Sequence, residues 1–266
     1  MKSGYEIKKE ICEIGKSLHA AGFVPGSGGS ISVKVDDNTY YCTPSGVSKG
    51  RLTPDMIAKV DGNGNKLEGS LKPSSEFKSQ LQIYRERPDV KAVIYAYPPV
   101  ATAYAASHQT LDAPLTAAIL LAVGAVPICE YGTPGTAALT DPLMPYVKDH
   151  NSFLMRNFGA ITVGDSLLKA YYNMECLEHF AQVSVNTALL GGAAPMTDAQ
   201  VDALLHPNKE AVAPVAKKAD DTVKQVESAV QSAIEMASGS SCNGINNDSL
   251  IEAVTQLVMR ELKNKQ

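Results

Sequence analysis

The sequence predicts an α/β protein built on a mixed, mostly antiparallel sheet covered by helices. Three observations lead there. SISVKV followed by TYYCT, and AKVDGNGNKLEG at 58–69, read as hairpins, whose strands pair antiparallel. Helical and strand patterns alternate irregularly along the chain rather than in repeated β–α units. The stretch PDVKAVIYAYPPVATAYAA (88–106) reads as a buried strand that runs into a Pro-Pro break and then a helix of small residues.

Each element has its own signal. Ile7, Ile11, Ile14 and Leu18 recur at helical spacing, so an amphipathic helix opens the chain and stops at Gly22. The glycine-rich turn PGSGGS (25–30) leads into the first hairpin, which an Asp-Asp-Asn turn closes; Asp-Gly-Asn-Gly closes the second. SSEFKSQLQIYRERP (74–88) is expected to be a helix, capped by Ser74 or Ser75 and ended by Pro88. In the following strand Tyr95 and Tyr97 lie two residues apart, on one face, aimed at one point. TAAILLAVGAVPIC (116–129) is the longest apolar run, too short to span a bilayer and broken by Gly124 and Pro127. FLMRNFGAITVG (153–164) reads as two short strands around a bend. Residues 164–192 read as a long helix with Asp165 as cap and a Gly-Gly stop.

Around residue 207 the composition turns rich in Ala, Lys and Pro. The expected organisation is a domain over 1–206, a linker over 207–247 and an amphipathic helix over 248–266. The linker holds one short helical pattern (Val223, Val226, Val230, Ile234), and GSSCNGINN at 239–247 is its most flexible part.

Charge and cysteine content narrow the class. The 24 Lys and Arg against 28 Asp and Glu give a net charge of −4 with no basic stripe, so nucleic acid is not an expected partner. Five scattered cysteines with no Cys-x-x-Cys pair suit a reducing cytosol. The N-terminus is too charged for a secretory signal. The expectation is a soluble cytoplasmic protein with no membrane association.

Seven separated segments, in this order, resemble the class II aldolase/adducin family, known for fuculose-1-phosphate and ribulose-5-phosphate processing enzymes. They are SGGSISV (27–33), TPSGVSKGRLTPDMI (43–57), DGNGNKLEG (61–69), KPSSE (72–76), RPDVKAVIYAYPPVATA (87–103), YGTPGT (131–136) and NFGAITVGDSLLKAYYNMECLEH (157–179). The resemblance covers roughly residues 5–200 and implies a three-layer α/β/α fold. It also implies a tetramer with active sites between subunits.

In that family the segments matching YAYP and NFG carry three histidines that hold a divalent metal, usually zinc. Here those positions are Tyr95, Tyr97 and Phe158. A phenol with its pKa near 10 is a poor zinc ligand at neutral pH, and phenylalanine has no donor atom. His19, His108, His150, His179 and His206 form no His-x-His or His-x-x-x-His pair. The expected cofactor is therefore none, with zinc absent. His179, on the long helix, is expected to be packed or capping.

The phosphate pocket implied by the resemblance is retained: Gly29 and Ser30 (a serine where the family has asparagine), Ser45 and Gly46, and Ser74 and Ser75. Backbone N–H groups at glycine turns, with hydroxyls at a helix start, suit an anion. Glu76 matches the family's proton-transferring acid; its place also fits a solvated first-turn glutamate. The fuculose-type aldolases' proton-donating tyrosine has no match in 114–124, because there is no tyrosine between Tyr104 and Tyr131. Lys72 and Lys91 are the nearest lysines for a Schiff base, and neither sits in an evidently apolar setting.

These residues lead to a divergent family member that keeps a pocket for a small phosphorylated sugar or other anion and lacks the metal site. It would be a non-aldolase or pseudoenzyme, alone as a homotetramer or with an active paralogue. The alternative is an active aldolase or other lyase that uses Glu76 with a non-standard metal or none. The tail NNDSLIEAVTQLVMRELKNKQ supplies a separate expectation. Ser249 and Glu252 make a capping box, and Leu250, Ile251, Val254, Leu257, Val258 and Leu262 form one apolar face. It resembles the terminal peptides that route enzymes into bacterial microcompartments, with a shell protein as partner.

Overall fold

The structure is a computed structural model that describes residues 2–207. The helices expected in the linker and over 248–266, with the remainder of the linker, lie outside the described residues. By its internal contacts the chain divides into two compact units, Met1–Val201 and Asp202–Gln266.

Helix α1 (Gly4–Ala20) opens on a capping box: Ser3 Oγ accepts from Glu6 N–H, and the Glu6 carboxylate accepts from Ser3 N–H. The two hairpins follow as β1 (Ser30–Lys34) with β2 (Thr39–Cys42), and β3 (Ala58–Asp61) with β4 (Lys66–Glu68). Then come α2 (Phe77–Glu86), β5 (Ala92–Ala96), α3 (Pro99–Ser107), α4 (Ala117–Ala122) and β6 (Ile128–Cys129). The chain continues through β7 (Ser152–Met155), β8 (Gly159–Gly164), α5 (Leu167–Leu189) and α6 (Asp198–Leu205). The strands form one sheet in the order β4-β3-β2-β1-β5-β8-β7-β6. Every neighbouring pair is antiparallel except β6 and β7.

Side chains alternate across that sheet, which makes the three layers. Ile31, Ala92, Ile94 and Ala160 pack with α1, α3 and α5 on one side. Tyr40, Val93, Tyr95, Ile161 and Val163 pack with α2 and residues 139–147 on the other. Both hairpins and the strand pair 153–164 appear where the sequence placed them.

The helix starts differ from expectation. Residues 74–76 precede α2 as a turn in which Ser74 Oγ accepts from Glu76 N–H at 3.3 Å, so neither serine caps the helix. The cap of α5 is Ser166, whose hydroxyl accepts from Lys169 N–H at 3.3 Å, and not Asp165. Both corrections have one cause, since sequence periodicity places helix ends only to within a residue or two. Among the described residues, no helix is long and apolar enough to cross a membrane.

Candidate active site

Three turns distant in sequence meet where β1 begins and β2 and β5 end. The 25–30 turn runs into β1, whose Ser30 pairs with Tyr95 of β5. Gly29 has φ +77°, and a Cβ there would come within 2.8 Å of Tyr95 O and 2.6 Å of a Val24 methyl, so only glycine fits. Thr43 ties the second turn to β1: its N–H donates to Ile31 O at 3.0 Å, and its Oγ1 accepts from Ile31 N–H at 3.1 Å. The third turn is pinned to the second. Ser74 N–H donates to Thr43 O, Ser45 N–H donates to Lys72 O, and Ser45 Oγ donates to Pro73 O, each at 3.0 Å.

The structure thus gathers Gly29, Ser45, Gly46, Ser74 and Ser75 on interlinked turns. The 131–136 loop comes alongside, with Gly135 next to Ser75. Ser30 is fully buried, and its hydroxyl has no partner among the described residues. Gly46 also lines an open concavity with His19, Gly26, Ser27, Val47, Ser48 and Arg51.

Glu76 stands at the entry to α2, half-buried. Burial raises the pKa of its carboxyl, and the positive charge of Lys49 acts against that rise. Lys49 is the residue that sequence reasoning missed. It is 1 % exposed, and its ammonium donates to Ser27 O and Val47 O, both at 3.0 Å. Burial pushes its pKa down to about 8 against the favourable field of Glu76. The sequence does hold one signal for it: Gly15 inside α1. A Cβ at Gly15 would lie 2.7 Å from Lys49 O, so that glycine lets the lysine backbone rest on the helix. Lys72 and Lys91, by contrast, are exposed.

The three aromatic rings do converge. Phe158 packs edge-on against Tyr95 and Tyr97, with ring centroids 6.0 and 5.5 Å apart. Tyr95 is fully buried, and its hydroxyl is 3.2 Å from Ser79 Oγ. Ser79 Oγ donates its own proton to Glu76 O at 2.7 Å, so Tyr95 is the donor of that bond. Burial raises the Tyr95 phenol far above its ordinary pKa, and raises that of Tyr97, whose hydroxyl meets Gly29 N–H. A phenol committed to its proton and a ring with no donor atom do not fit a divalent metal. Among the described residues, no group of three His, Cys, Asp or Glu could hold one either. His179 is exposed rather than packed, because α5 turns that side to solvent.

A model of the Class II Aldolase and Adducin N-terminal domain matches residues 9–185. The chain belongs to the class II aldolase/adducin family. It is 33% identical over 187 residues to a 3-oxo-tetronate 4-phosphate decarboxylase of Pectobacterium atrosepticum, covering 69% of this chain and 85% of the relative. An L-fuculose phosphate aldolase of Methanococcus maripaludis is 32% identical over 175 residues, covering 66% and 94%. The solved structure of YgbL from Escherichia coli superposes with a TM-score of 0.69 at 30% identity, covering 76% of this chain and 99% of that one. The three-layer sheet described above is therefore the class II aldolase fold, with the interlinked turns, Glu76 and Lys49 at one end of it.

Proposed function

We propose that this class II aldolase-family protein binds a small phosphorylated sugar or sugar acid in a pocket made by Gly29, Ser30, Ser45, Gly46, Ser74 and Ser75. The observation that carries the reading is the hydrogen-bonded junction of the 43–46 and 72–75 turns. It sets hydroxyls and glycine N–H groups side by side next to Glu76. Tyr95, Tyr97 and Phe158 occupy the positions that the family resemblance assigns to metal-binding histidines. On this reading the metal-dependent retro-aldol reaction is not carried by this chain. The protein acts as a sugar-phosphate-binding member of its family, as a homotetramer or beside an active paralogue.

Phosphate or a sugar phosphate should then raise the melting temperature. Saturation at a hundredfold excess over Kd adds about 2.7 kcal/mol of stability, a shift of several degrees. Ser74→Ala with Ser75→Ala should remove the shift at little cost in basal stability. An unchanged shift in that double variant would reassign it to general ion effects.

A second reading is a metal-independent lyase that uses Glu76, and one observation favours it. Burial raises the pKa of the half-buried Glu76 carboxyl and lowers that of the buried Lys49 ammonium, and each charge acts on the other, which is the character of an acid–base pair. The decarboxylase relative makes a phosphorylated 3-oxo acid the substrate class to test, with release of carbon dioxide as the readout.

The tail 248–266 is proposed to dock on a microcompartment shell, which would place the protein in its lumen. Its capping box and single apolar face, at the end of a polar linker, support this. Residues 240–266 fused to a fluorescent protein should co-localise with shells in cells that make them; diffuse fluorescence there would refute the assignment.

A further inference from the structure

Lys49 has an unusual setting for a lysine. Its side chain is buried beneath the 25–29 and 45–48 turns, and its two acceptors are neutral backbone carbonyls. Its third N–H has no acceptor among the described residues, and no ion pair joins it to Glu76, although the two charges act on each other. Burying an ammonium without an anionic partner is costly. The carbonyls that it does bond, Ser27 O and Val47 O, belong to the turns that carry Gly29, Ser45 and Gly46, so the unpaired N–H goes with the proposed pocket. Glu76, whose charge acts on the ammonium, is the proposed acid, so the acceptor that the third N–H lacks is sought at the reacting end of the ligand.

We propose that the Lys49 ammonium is the cation that stabilises the enolate oxygen formed when a phosphorylated 3-oxo acid loses its carboxylate, the task that the family resemblance gives to a metal. This rests on the lyase reading above. The bond between the carboxyl carbon and C2 breaks, and carbon dioxide leaves. The bonding pair forms the C2–C3 double bond, and the carbonyl pair moves onto the C3 oxygen, where the third N–H of Lys49 meets it. Protonated Glu76 then donates to C2 and restores the C3 ketone, and the carboxylate regains a proton from solvent. Nothing is oxidised or reduced. A fixed, water-excluded cation beside the developing charge is the arrangement in which one donor has its largest effect.

The test uses 2-phosphoglycolate, whose carboxylate stands in for the enolate, against inorganic phosphate, by calorimetric titration of the full chain. Phosphoglycolate should bind at least about tenfold more tightly than phosphate, the margin of one hydrogen bond to a charged group. Lys49→Met should abolish the preference and bring the two affinities together. The wild-type preference should also fall as pH rises from 7 to 9, because the ammonium loses its charge near 8. Among the described residues, the charged group that acts on it is Glu76. If Lys49→Met does not fold, the wild-type pH profile decides.

No preference in the wild type, a preference that survives in Lys49→Met, or one insensitive to pH would overturn the assignment. So would a borohydride-reduced adduct of dihydroxyacetone phosphate on Lys49, which would make the lysine an imine former instead. Absence of phosphate binding to the wild type would instead defeat the pocket reading itself.

Discussion

Combining Tyr95→His, Tyr97→His and Phe158→His is expected to create a protein that retains one equivalent of zinc through dialysis. The three rings already pack around a common point, with centroid separations of 5.5 and 6.0 Å on Phe158. Imidazole is smaller than either ring it would replace, so the change opens space rather than overpacking the sheet. Three convergent imidazoles with a free fourth position make a catalytic-type zinc site. Without metal the variant should lose about 2–4 kcal/mol, from cavities and from the broken Tyr95–Ser79 bond. Zinc should restore much of that, visible as a metal-dependent melting temperature. Fuculose-type aldolase activity should stay low, because residues 114–124 still lack a tyrosine. Mass-spectrometric metal analysis of both proteins settles the matter. One tightly held equivalent in the unmodified chain would reverse the reading of Tyr95, Tyr97 and Phe158.

The largest loss of stability from a single change is expected at Glu178. This residue of α5 is 2 % exposed, and its carboxylate closes the start of α3. It accepts from Val100 N–H (3.1 Å to each oxygen), from Ala101 N–H (2.9 Å) and from Gln182 Nε2 (3.1 Å). Pro98 and Pro99 supply no side-chain cap, so these backbone donors depend on a residue 77 or 78 positions away. Glu178→Ala strands two N–H groups, one of them buried, and should cost about 3–4 kcal/mol. Glu178→Gln keeps one acceptor and should cost roughly half as much by the same reasoning. Urea titration should show the midpoint falling with an unchanged slope. A loss below about 1 kcal/mol would mean that water replaces the carboxylate at that helix end.

Glu178 also marks the boundary between what is local and what is not. The hairpins were legible because Asp-Gly-Asn-Gly and Asp-Asp-Asn turns are short-range chemistry, and α1 because its apolar stripe repeats every turn. The candidate site was legible in part for the same reason: Gly29, Ser45, Ser74 and Glu76 fall in short segments that resemble a family's turns. Nothing local distinguishes Glu178 from the exposed Glu175 three residues before it, because the distinction is made by α3 packing against α5 on the same face of the sheet.

By itself, the sequence determined that this is an α/β protein with hairpin-built strands, that it belongs with the class II aldolases, and that tyrosine and phenylalanine stand at 95, 97 and 158. The elements and the residue types follow from identity, period and spacing, which a linear chain displays directly, and the family follows from the resemblance of its separated segments. Only the tertiary structure decided that Lys49 is buried where the charge of Glu76 acts on it, that Tyr95 donates to Ser79, and that Ser30 Oγ has no partner among the described residues. Burial and charge proximity depend on which distant segments close over a residue. For Lys49 these are α1, brought near by Gly15, and the 25–29 turn, held by Ser27 O. An ammonium on an open turn is an ordinary solvated charge; removed from water by those two segments, it becomes a group whose proton and field can act on a ligand.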